Sequence, residues 1–373
     1  NLSLGDNNKI IMGAGSDLQL YHDGSNSYVS DQGTGQLVLL SNSFRLNNAA
    51  NSENIITAEE NGAVSLFFND SSKLATTSTG VDVTGTAVTD GLTVAGNLSV
   101  DGGTIKLDGN YPTGTSNVAL GDTALDSLTS GNYNTSVGDQ ALTANTTASY
   151  NTAVGYKAGY STSTGQLNLS LGSFALHSNT TGSQSTAVGH TALYSSTATG
   201  TPNNTAVGFQ AAYTNTTGAT NTAIGSNALF ANTTASNNTA VGYQSLYTNT
   251  TGTRNTALGT QALKTVATGN HNTAVGYQAL ELNTGNNNTA VGDQALEANT
   301  SGANNSAVGD DALVANTTGT GNVAMGASAL GSNTTASYNL AAGYYALYSN
   351  TTGAQNTAVG NQAMYTTTTG NYN

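Results

Sequence analysis

Apolar positions recur along this chain with two different periods. Through residue 110 they alternate at period two, as at Leu18 and Leu20, Leu37 and Leu39, and Phe44 and Leu46. That is the spacing of strands with one apolar face. Val81 and Val83, Leu92 and Val94, Leu98 and Val100, and Ile105 and Leu107 form still shorter pairs, separated by glycine or Asp-Gly turns. Strands this brief cannot enclose a core within one chain, so residues 1–110 are expected to form an intertwined fibrous shaft in which three chains share a core. Pro112, between Gly109 and Gly114, marks the expected junction with a second region of different period.

Over residues 111–373 the period lengthens. One phrase, as at Asn-Thr-Ala-Val-Gly-Tyr-Gln-Ala-Leu, returns fifteen times with its glycine at 121, 138, 155, 172, 189, 208, 225, 242, 259, 276, 292, 309, 326, 343 and 360. The step is 17 residues except for 19 before Gly208 and 16 before Gly292. Both exceptions fall in the Thr/Asn/Gly stretch, which also holds Pro202, so that stretch is expected to be a loop. Just before the glycine stands Val, Leu, Ile or Met, with Ala342 the exception, and two before it stands Ala or Ser. Three after it is Ala or Ser245, and four after it is Leu except at Gly159, Ala212 and Met364. These segments are too short for helices. They predict a strand, a glycine bend and a second strand per repeat, each repeat one coil of an all-β parallel solenoid or β-roll. Fifteen coils stacked at ~4.8 Å make a rod of roughly 70 Å.

Two further columns bear on assembly. Asn stands four residues before the glycine in fourteen copies, among them Asn134, Asn151, Asn204, Asn221, Asn238, Asn255, Asn272, Asn288, Asn305, Asn322, Asn339 and Asn356, with Ser185 the exception. Identical amides stacked coil over coil can satisfy each other in a ladder. The alternative is a turn preference, since Asn tolerates left-handed backbone. The alanine columns leave little volume for a wide core. They point to slender coils packed side by side around an axis, a homotrimer.

Composition narrows the function. Only 7% of the 373 residues are charged, Gly numbers 45, and Cys and Trp are absent. This disfavours a helix-rich enzyme and excludes disulfide or thiolate chemistry. The net charge of −13 argues against nucleic acid and anionic membranes as partners. No apolar run is long enough to insert in a bilayer.

Candidate chemistry is thin. His22, His177, His190 and His271 sit at unrelated repeat positions, and Asp122, Asp139, Asp293 and Asp310 follow the glycine as solvated turn residues, so no metal or other cofactor is expected. Glu281 and Glu297 share a column in adjacent coils but lack an aromatic-lined cleft, so no catalytic pair and no enzyme is expected. Asn-Thr-Thr at Asn145, Asn179, Asn215, Asn232, Asn249, Asn316, Asn333 and Asn350 matches the glycosylation sequon and is read as loop chemistry. The aromatic column five residues after the glycine, Tyr160, Tyr194, Tyr213, Phe230, Tyr247, Tyr348 and Tyr365, offers two roles. It is either a stripe that contacts host glycans or a seal between neighbouring chains.

The phrase Asn-Thr-Ala-Val-Gly, as at 151–155 and 204–208, resembles the Ser-Val-Ala-Ile-Gly repeat of trimeric autotransporter adhesins with YadA-like heads. The resemblance implies a trimerised, left-handed parallel β-roll; the longer stretch and added Ala-Leu-Tyr depart from that family. Residues 18–25, Leu-Gln-Leu-Tyr-His-Asp-Gly-Ser, and 76–85, Thr-Thr-Ser-Thr-Gly-Val-Asp-Val-Thr-Gly, look like tail-fibre proteins of marine tailed phages. Together these resemblances imply a structural fibre segment in the virion, displaying a tip for host attachment, with itself and other tail or fibre proteins as partners. The alternative is a cell-surface adhesin or extracellular filament. The copy at Gly360 is as regular as an interior one, so further chain is expected beyond Asn373.

Overall fold

The computed structural model describes residues 3–85 and 114–373. It divides into two compact units, Asn1–Asp101 and Gly102–Asn373. The strands expected over 92–107, the turn at Pro112 and the expected 110/111 boundary lie outside the described residues.

The first unit contains two antiparallel sheets. β1 (Lys9–Met12), β2 (Leu18–His22) and β3 (Ser27–Asp31) form one; β4 (Ser43–Asn47), β5 (Asn54–Glu59), β6 (Val64–Phe68), β7 (Ser71–Thr76) and β8 (Val81–Val83) form the other in chain order. The alternation at Leu18/Leu20, Phe44/Leu46 and Val81/Val83 thus falls in strands. Leu37 and Leu39 do not: their run pairs with neither sheet, and Leu39 is 69% exposed. Alternation needs a partner edge before it becomes a strand. The hairpin between β2 and β3 is closed by Asp23, whose carboxylate accepts from Ser25 N at 2.9 Å, Asn26 N at 2.7 Å and the Tyr28 hydroxyl at 2.9 Å. Those bonds hold its carboxyl below the usual carboxylate range. Tyr28 pairs across the ladder with Tyr21, their rings stacked at 4.7 Å. No described residue between 3 and 85 is buried.

The second unit is a parallel β-solenoid. Among its described residues one sheet holds fifteen three-residue strands in chain order, β9 (Val118–Leu120) to β23 (Thr357–Val359). Each strand meets the same column in the next: Thr205 beside Thr222, Ala206 beside Ala223, Val207 beside Ile224. The 19-residue and 16-residue steps leave register intact, with Thr186 beside Thr205 and Thr273 beside Thr289. With period two, the central Ala points inward and its neighbours outward.

Two expectations need correction. The second strand is absent: after Gly242, Gln244 (φ 52°) and Leu246 (φ 51°) are left-handed, as is Asn237 (φ 62°) before the next strand. The backbone winds instead of extending, at about 1–2 kcal/mol per left-handed residue. What compensates is burial and hydrogen bonding. Leu246 is buried, and its N–H donates to Ala262 O of the next coil at 3.0 Å. The Thr/Asn/Gly stretch, expected as a loop, belongs to the same stack. Thr248 N donates to Lys264 O at 3.0 Å and Thr250 N to Ala267 O at 3.0 Å. Thr250 Oγ1 repeats the second bond at 3.0 Å.

The core is made of alanine and leucine. Ala two before and three after the glycine, with Leu four after, merge into one continuous apolar column from Ala175 to Ala358. The alanines therefore fill each chain's own coil instead of joining chains, because the coil is thin enough for a strand alanine to meet a leucine from the winding side. Glycine is required where the strand ends. Gly242 has φ +129°, and a Cβ there would lie 2.6 Å from the carbonyl carbon of Gly259 above it.

Candidate functional site

The solenoid's side chains form columns, and each column's chemistry is set by the residue one coil away. The asparagines four before the glycine are buried from Asn117 to Asn356, Ser185 standing in their column. Each Oδ1 accepts the backbone N–H of the next one: Asn221 N to Asn204 Oδ1 at 2.9 Å, Asn238 N to Asn221 Oδ1 at 3.0 Å, Asn255 N to Asn238 Oδ1 at 2.9 Å. The same bond joins Asn134 to Asn151, Asn255 to Asn272, and the series Asn272, Asn288, Asn305, Asn322, Asn339 and Asn356. Each Nδ2 donates to a carbonyl fourteen residues on in most coils, as Asn204 to Gly218 O at 2.7 Å. The rungs thus run mainly between side chain and backbone. Direct amide–amide bonds also join Asn134 to Asn117 at 3.2 Å and Asn339 to Asn322 at 3.3 Å.

A second asparagine column, expected from the sequence to be loop chemistry, carries the more direct ladder. Asn145, Asn179, Asn215, Asn232, Asn249, Asn316, Asn333 and Asn350 are all buried, as are Asn283 and Asn299. Nδ2 of Asn249 donates to Asn232 Oδ1 at 3.0 Å, Asn316 to Asn299 at 2.8 Å, and Asn333 to Asn316 at 2.9 Å. The same Nδ2 donates within its coil, Asn249 to Gly252 O at 3.0 Å, the carbonyl that Asn238 reaches at 2.9 Å. Two amide columns therefore converge on one carbonyl column. A buried amide has no room for a glycan, so the Asn-Thr-Thr asparagines are core residues in the folded chain.

Substitutions in these columns leave polar atoms unpartnered. Val266 takes the place above Asn249, and Asn249 Oδ1 has no partner. Ser185, Thr162 and Ser196 break a column likewise, and each hydroxyl oxygen is buried and unpartnered. Such an atom costs about 1–3 kcal/mol.

The aromatic column is a stack of rings. Tyr194 lies on Tyr213 at 5.2 Å and 12°, Tyr213 on Phe230 at 5.4 Å and 6°, Phe230 on Tyr247 at 5.2 Å and 15°. Tyr348 and Tyr365 form a separate pair at 5.4 Å. His177, expected at an unrelated position, belongs here: it stacks on Tyr160 at 5.1 Å and Tyr194 at 4.8 Å. Its place five residues after Gly172 is visible in the sequence, but a column defined by Tyr and Phe alone passes over it. Burial in the stack, then the nearby Lys157 cation, lowers the His177 pKa. The Lys157 ammonium sits over Tyr160 at 5.3 Å. Interior rings of the stack cover each other's faces and leave edges to solvent.

The paired acids each bond a neighbouring side chain. Glu281 bonds Lys264 at 3.2 Å and accepts from Gln278 at 2.8 Å; Glu297 accepts from Gln294 at 3.2 Å. Burial, then the Glu281 charge, raises the Glu297 pKa. Burial, then Asp310, raises that of Asp311. Asp122, Asp139, Asp293 and Asp310 are exposed. His22 bonds Ser27, His190 stacks on Phe209 at 5.7 Å, and His271 meets Arg254 at 3.1 Å. Among the described residues no group of three His, Asp or Glu side chains is placed to hold a metal, and no helix is long and apolar enough to cross a membrane. No family model, curated protein or solved structure matches the chain.

Proposed function

We propose that this chain is a structural fibre segment, a homotrimer in the tail fibre of a phage virion that displays a receptor-binding tip for attachment to the host cell. One observation carries the reading: the solenoid's buried side chains are spent on stacking coil on coil, while the described residues of the first unit bury no side chain. Among its described residues Val29, Leu40 and Phe68 are 58%, 91% and 68% exposed, apolar surface that association of copies would cover. Three copies supply that cover in a fibre, and the solenoid supplies a stiff spacer without chemistry of its own. The residues that resemble phage tail fibres at 18–25 form β2 and the start of the turn that pairs it with β3, a structural motif.

The second reading is a bacterial cell-surface adhesin or extracellular filament, supported by the YadA-like phrase at each coil. Host glycans fit the aromatic column less well than chain or coil packing does, because rings inside the stack, such as Tyr213 and Phe230, have both faces covered by their neighbours. An antibody against the solenoid distinguishes the two settings. Decoration of the tail fibres of purified particles supports the phage reading. Decoration of the surface of cells free of phage overturns it in favour of the adhesin. Light scattering on the purified chain is expected to give three copies; a folded monomer removes both trimeric readings.

A further inference from the structure

We infer that a second copy of this chain seats on the strand face of the solenoid, against the apolar column immediately before each repeat glycine; this rests on the trimeric reading above. The column runs Val207, Ile224, Val241, Leu258, Val275, Val291 and onward through every coil, apolar from Leu120 to Val359. None of its members is buried, and Ile224, Leu258 and Met325 are 40%, 47% and 53% exposed. The alanine and leucine columns are used up inside the coil, and the aromatic column largely stacks on itself. This column alone is apolar in every coil and faces outward.

Charge and shape point to the same occupant. The three strand positions carry no Asp, Glu, Lys or Arg in any of the fifteen coils, whereas acids follow the glycine and lie on the winding side. For chains of net charge −13, an uncharged face is where like copies approach at least cost. The glycine column beside it is a strip without side chains, held so by the close approach of successive glycines. That strip can receive the apolar ridge of a neighbour. A face of fifteen coils at ~4.8 Å, three residues wide, offers roughly 700 Å² per chain, near the ~800 Å² per partner of a stable interface. A partner must also present apolar groups at the coil spacing along the whole stack, and another solenoid of the same sequence does so in register.

The chain has no cysteine, so single introduced thiols report neighbours cleanly. Ile224→Cys and Leu258→Cys, made separately in the full chain, are compared with Thr234→Cys in the exposed threonine stretch. Each is oxidised and, in parallel, treated with a short bismaleimide. Chain number is read by light scattering and fold by circular dichroism. The expected result is three chains throughout, with linked dimers several-fold more abundant from the two strand-face variants. Three chains with linkage at Thr234→Cys, or at none of the three, overturns this face and leaves the trimer standing. One chain in every sample overturns the trimer and the strand-face contact with it.

Discussion

The two units of this chain are both built from strands of a few residues, yet the solenoid has a core while none of the described residues of the first unit is buried. In the solenoid a three-residue strand such as Thr239–Val241 has a parallel neighbour on each side, delivered by the chain itself a fixed number of residues earlier and later. Its central Ala240 is fully buried as a result. In the first unit β6 is longer, but its Leu66 remains 42% exposed, because antiparallel pairing supplies edges and no described residue packs a second layer over the face. Repetition thus does for a short strand what a second sheet does in a globular domain.

The sharpest contrast is at glycine. Gly242→Val forces a Cβ into the Gly259 backbone at a φ that valine avoids. It is expected to lose about 3 kcal/mol or more and to split the cooperative thermal transition of the solenoid. Gly80→Val, where a Cβ meets nothing within 4 Å, is expected to leave that transition unmoved. Equal effects would show that the two units do not differ in this way.

Next in size is the core itself. Leu246→Ala, at a fully buried site, is expected to cost about 2–5 kcal/mol in denaturant unfolding, independent of protein concentration. Leu66→Ala tests the other unit. If copies associate as proposed, its cost should be small at low concentration and grow with association, which would cover the part of Leu66 that is exposed in the single chain. A cost for Leu66→Ala that ignores concentration would place a core within the single chain.

The asparagine columns allow a change in each direction. Asn238→Leu removes the acceptor of Asn255 N and a donor to Gly252 O, and is expected to destabilise by about 1–3 kcal/mol. Val266→Asn should do the reverse by roughly 1 kcal/mol, giving Asn249 Oδ1 a donor and joining two ladders. A rise in Tm checks it; a fall would mean that the valine's packing outweighs the missing hydrogen bond.

The smallest effects are those of pH, and two sites oppose each other. Burial raises Glu297 above its ordinary 4.5, so the folded chain binds this proton more readily. Stability from this site therefore grows as pH falls through the raised value toward 4.5 and is lost as pH rises above it. His177 lies below its ordinary 6.5, so the unfolded chain takes up its proton first. Its contribution is complete above 6.5 and declines as pH drops below that value. Glu297→Gln and His177→Phe should each flatten one limb of the Tm–pH curve.

Periodicity was enough to locate the fifteen strands, since an insertion that kept Thr186 beside Thr205 also kept the phrase intact. It was enough, too, to place glycine where coils approach closely, because a residue that recurs at one fixed point marks a backbone need. What periodicity could not report is φ. Neither Gln244 nor Leu246 is a residue type that advertises a left-handed backbone; tertiary burial of the leucine and bonds to two neighbouring coils impose it. Nor could it say which side of the coil a column faces. Ala240 reads as a surface for another chain until the coil is closed around it, and Asn249 reads as a loop sequon until Asn232 stands beside it. The repeat is a one-dimensional pattern that fixes which residues stack. Inside or outside is decided only when the chain closes its turn, because burial depends on the residues across the coil and not on those next in line.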